Sequence, residues 1–131
     1  IMKETGKDEV IKYRIERANE SLRESDNLFS NQFLFATTNR LYYACYYAVT
    51  ALLIKNDIQV KSHAGVRQMF GQYFIVTGKI AKEHGKFYSD LFDYRQDNDY
   101  RDLITPEKEL VTELLTNARI FIREVFKELE N

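Results

Sequence analysis

Residues 33–54 read FLFATTNRLYYACYYAVTALLI. This run is apolar nearly all round, which predicts a helix buried on every side at the centre of a helical fold. Its most apolar part, residues 41–54, is too short to span a membrane and carries four tyrosines. Asn56 and Asp57 are expected to end it.

Working outward, residues 8–29 place Ile11, Ile15, Ala18, Leu22 and Phe29 on one face, with Lys, Arg and Glu between them. On the other side, Ser62 reads as the N-cap of a helix over 63–75, where Val66, Met69, Phe70 and Tyr73 share a face. Gly78 separates it from a helix at 80–94 carrying Ile80, Phe87 and Leu91. The last helix has the sharpest start: Thr105 as N-cap, Pro106 as first helical residue, Glu107 in the first turn. Val111, Leu114, Leu115, Ala118, Ile122, Val125 and Leu129 follow at helical spacing. One proline, five glycines and no sustained period of two exclude a sheet. The expected class is all-α, an up-and-down bundle of five helices.

The 131 residues read as a single domain, 1–131, large enough to bury a core without disulfides or metals. Ile1 precedes Met2, so Met2 is expected to be the native start and Ile1 a cloning remnant. A net charge of −1 sets up no global basic field, so no DNA binding is expected and any RNA contact must be local. The single cysteine allows no internal disulfide, and no secretory segment opens the chain; the expected location is the cytoplasm.

Several chemistries find no motif. GQYFIVTGKI (71–80) has six residues between its glycines and Ile after the lysine, so it is no phosphate loop. His63 and His84 lie on different predicted helices without cysteine partners, so neither metal nor cofactor is expected. Cys45, inside the most apolar helix, reads as a small core residue.

Three polar features remain. Arg40, preceded by Asn39, is the one charge between Phe33 and Ile54. A cation on such a helix needs a partner, either a structural carboxylate or a bound anion. Tyr43 and Tyr47 share its face. Arg95 opens RQDNDY (95–100), with Asp99 and Tyr100 following, and reads either as an exposed interhelical turn or as an anion site facing Arg40. His63, in KSHAGV (61–66), stands at a helix start, where an imidazole and free N–H groups can hold an anion or simply cap and pack.

Taken together, NRLYYACYYA (39–48), KSHAGV (61–66), FGQYFIVTGKI (70–80) and YRQDNDY (94–100) make the chain resemble the HEPN superfamily, in particular its small stand-alone bacterial and archaeal branch. The resemblance spans roughly residues 8–129. It implies a helical bundle that pairs into a homodimer with a shared polar cleft, and often a toxin encoded beside a minimal nucleotidyltransferase. Active members are metal-independent endoribonucleases whose motif is an arginine followed, after four to six residues, by a histidine. Arg95 matches the arginine; the histidine position falls near Tyr100. The departure leaves Asp99 and Tyr100 in that place, both poorly matched to proton transfer at neutral pH. The expected function is therefore a dimer cleft, built from Asn39, Arg40, Tyr43, Tyr47, Arg95, Asp99 and Tyr100, that binds nucleotide, RNA phosphate or a partner nucleotidyltransferase. The alternatives are cleavage by Arg95 with His63 or Tyr100, and a purely structural cluster.

Overall fold

The computed structural model describes residues 4–100 and 106–131, with the side chains of residues 4–5 and 97–100 outside the description. The described residues form five α-helices: α1 (Glu4–Ser30), α2 (Leu34–Lys55), α3 (His63–Phe70), α4 (Lys82–Tyr100) and α5 (Lys108–Leu129). A π-helical turn, Gly71–Ile75, continues α3.

Helix α2 is the axis of the bundle. More than half of its residues are buried, among them Leu41, Tyr42, Cys45, Val49 and Leu52, and it touches all four other helices. An apolar stripe wider than one face can be satisfied only by neighbours on several sides. It ends where expected. Asn56 sends its side-chain amide to the Leu52 carbonyl, and Asp57 turns left-handed at φ 58°. Asp is among the few side chains that tolerate that region. The Ile58 amide then reaches back to the Leu53 carbonyl.

Helix α1 packs on α2 more closely than its apolar pattern implies. Ala18, Ser21 and Ser25 are fully buried, whereas Ile11 and Ile15 are only partly so. Small side chains let two backbones approach. Ser25 avoids an unpaired hydroxyl by donating to the Ser21 carbonyl at 2.8 Å.

Ser62 caps α3 as the sequence predicts: extended at φ −117°, its side chain accepts a hydrogen bond from the Gly65 amide. We expect Ser62→Ala to cost about 1 kcal/mol, read as a lower urea midpoint at constant m-value.

Three expectations are corrected. In α3 the inward face is Val66, Phe70 and Phe74, not Tyr73, which is 44% exposed. A π turn closes i→i+5 bonds and is wider than an α turn, so the residue that returns to the core comes later. The Val76 amide bonding the Gly71 carbonyl marks it. Second, α4 begins at Lys82 and runs on through Tyr100, so Arg95 stands on a helix and not on an interhelical turn. Ile80 is buried but lies before the helix. Third, α5 starts at Lys108, with Glu107 extended as its N-cap, two residues after Pro106. Thr105 lies outside the described residues. Phe121, absent from the predicted stripe of α5, is fully buried against Tyr88 with rings parallel to within 7°.

Candidate functional site

The four tyrosines of NRLYYACYYA occupy a broad face of α2, because positions i, i+1, i+4 and i+5 subtend neighbouring angles on a helix. Helix α4 lays Arg95 across two of them. Its guanidinium carbon lies 5.0 Å from the Tyr42 ring centroid and 5.3 Å from that of Tyr43. Its Nη2 donates to the Tyr43 hydroxyl at 3.1 Å. A planar cation on electron-rich ring faces is held by its quadrupole contacts as well as by the hydrogen bond.

Arg40 reaches the same ring from within α2, at 5.0 Å from the Tyr43 centroid. Both arginines therefore converge on Tyr43 and share one region of the surface. Arg40 also has the structural partner that burial demanded: Glu24 of α1 at 3.6 Å, with the Asn39 side-chain oxygen accepting at 3.2 Å. The two readings of Arg40 are thus compatible, since the ion pair orients a side chain that remains one-quarter exposed.

His63, first residue of α3, enters the same cluster. Its ring stacks on Tyr46 with centroids 4.4 Å apart, and the Tyr42 hydroxyl and His63 Nδ1 share a hydrogen bond of 2.8 Å. Burial pushes the Tyr42 phenol up to about 12, with the nearby Arg95 charge opposing. The phenol thus keeps its proton across the physiological range. Burial, and then the Arg95 charge, lowers the His63 pKa below the usual 6.5. His63 is accordingly a neutral imidazole at pH 7. The roles in that bond follow the tautomer: where Nδ1–H donates to the Tyr42 oxygen, Nε2 keeps its lone pair.

On the other flank, Tyr47 faces α1. The Arg14 and Arg17 guanidinium carbons lie 5.7 and 5.2 Å from its ring centroid. A hydrogen bond to Tyr47 raises the Arg17 pKa further above its ordinary value.

The structure thus brings together Asn39, Arg40, Tyr43, His63 and Arg95, with Tyr47 joined through a Tyr43–Tyr47 ring contact at 6.2 Å. The side chains of Asp99 and Tyr100 lie outside the described residues. Tyr42, Tyr46, Arg14 and Arg17 belong to the cluster but read in sequence as core or as solvated helix surface. The usable signal was the pairing of YY with YY four residues apart, opposite two arginines three apart on α1. Elsewhere, His84 packs against Phe121, and burial raises the Cys45 thiol far above its usual range, which keeps it inert. Among the described residues no helix is long and apolar enough to cross a membrane.

An all-helical bundle is the architecture that the HEPN resemblance implied. The HEPN domain model matches residues 11–129, and the chain belongs to that family. Among its relatives, the UPF0332 protein of Thermotoga maritima is 37% identical over 125 residues, covering 95% of each chain. Two Methanocaldococcus jannaschii proteins described as candidate toxins are also similar. One is 36% identical over 88% of this chain and 78% of its own length. The other is 32% identical over 93% and 90%.

Proposed function

We propose that the tyrosine face of α2, with Arg95, Arg40 and His63, binds an RNA or nucleotide phosphate, and that the protein is the toxin-like half of a pair. In this reading two copies form a homodimer with the cleft between them, and a minimal nucleotidyltransferase is the partner. The observation that carries it is the convergence of two guanidiniums from different helices on the single ring of Tyr43. Bidentate planar donors suit phosphate oxygens, and the partly exposed rings of Tyr43, Tyr46 and Tyr47 suit an unpaired base. Toxin descriptions of the two archaeal relatives support the wider role. Fluorescence anisotropy with a labelled single-stranded RNA of about ten nucleotides tests it. Saturable binding that weakens with salt is expected; no binding at low salt sinks the proposal.

A second reading, metal-independent cleavage, is favoured by one observation: an imidazole stands in the Arg95 cluster although the motif position has none. His63 Nε2, unprotonated when Nδ1–H donates to Tyr42, would take the 2′-hydroxyl proton as the 2′-oxygen bonds to phosphorus; the 5′-oxygen leaves and takes a proton from water, with Arg95 on the phosphate. A neutral base is required, so lowering its pKa moves the acid limb of activity down. Cleavage in EDTA should persist at pH 6.5 and fall by half only below it. Loss of activity above that pH, or unchanged products from His63→Ala, removes His63 from the chemistry.

A further inference from the structure

A cleft of about 310 Å³ opens between the start of α1, the C-terminal half of α2 and the segment 57–61 that leads into α3. Its volume is within the range of small-molecule sites. Leu53, Ile54 and Val66 form an apolar floor, and Tyr46 supplies an aromatic wall. Arg14 and Lys61 stand at its sides. Lys7 and Asp57 also line it, but they bond each other at 3.2 Å and so cancel locally. Among the described residues neither Arg14 nor Lys61 makes an ion pair, and the Arg14 Nε, shielded from solvent, has no acceptor. The cleft therefore carries an apolar floor and two cations with no counter-charge.

We propose that this cleft binds a small organic anion with a flat apolar body, an aryl carboxylate or aryl phosphate. The ring would lie on Leu53, Ile54 and Val66 against Tyr46, and the anionic group would sit between Arg14 and Lys61. Desolvating an apolar ring supplies affinity, and the cations supply the sign preference. Because the Tyr46 ring also stacks on His63, the cleft shares a wall with the phosphate-binding face. The proposal goes beyond RNA binding and stands independently of it.

Amide NMR shifts of the full chain, titrated separately with 2-naphthoate, 2-naphthyl phosphate and neutral 2-naphthylmethanol, test it. Saturable shifts at residues 57–61 and Val66 are expected, with the better anion binding at least tenfold more tightly than the alcohol. The order of the two anions tells a carboxylate site from a phosphate site. Lys61 is exposed, so Lys61→Glu leaves the fold intact; it should weaken the anions at least tenfold and leave the alcohol unchanged. No shift at 57–61 with either anion, equal affinity for the alcohol, or an unaltered Lys61→Glu titration would each overturn the proposal.

Discussion

Arg95→Ala should weaken RNA binding by about tenfold to a hundredfold, the span of 1.5–3 kcal/mol carried by a hydrogen bond to a charged group. The expectation rests on position. Arg95 bridges Tyr42 and Tyr43, so the substitution removes the cation and also frees the two rings it covers. Arg95→Lys separates these effects: it keeps the charge but loses the planar fork and the ring contact. An intermediate affinity is expected, with a salt slope close to that of the unsubstituted chain, whereas Arg95→Ala should reduce the slope by about one. Anisotropy titrations at several salt concentrations read all three proteins. If Arg95→Ala binds like its parent while its far-ultraviolet dichroism is unchanged, the arginine belongs to the architecture and the phosphate site is elsewhere.

The largest expected loss of stability comes from the π turn. Phe74→Ala should cost about 3–5 kcal/mol, because Phe74 is only 2% exposed and stacks on Phe70 at 6.2 Å. Its neighbour Tyr73, 44% exposed, should lose no more than about 0.5 kcal/mol on the same truncation. Chemical unfolding of the two variants side by side is decisive. An uninterrupted α-helix would place Tyr73, seven residues after Val66, on the buried side and reverse the order of the two losses.

That reversal shows where sequence reading stops. Helix α2 was legible because an apolar run with a single charge admits few alternatives, and Arg40 announced a partner by its isolation. The Ser62 cap was legible because the hydroxyl must stand at one position relative to the first turn. The π turn was not, since residues 71–75 carry no composition that distinguishes a wide turn from an α turn. Nor was the length of α4. DYRQDNDY (93–100) lacks an apolar period, yet backbone bonds continue a helix that a packed segment has already nucleated. At the candidate site, Arg40, Tyr43, Arg95 and His63 stood out by chemistry in an apolar or turn-like context. Tyr42 and Tyr46 were hidden by theirs, because a tyrosine on a buried helix reads as hydrophobic area whether or not its hydroxyl holds a histidine. Ser21 and Ser25 were hidden for the converse reason: polar residues read as surface, and only the closeness of α1 to α2 shows that small size was what the position required.

The chain between His63 and Arg95 passes through the π turn at Gly71–Ile75 and the left-handed Gly78. In a straight α-helix, adding or removing one residue swings everything beyond it by about 100°. A wide turn instead absorbs the extra residue locally and lets the flanking segments keep their orientation. The stretch joining the two site helices can thus take up a one-residue change in length while the imidazole and the guanidinium stay in register with each other.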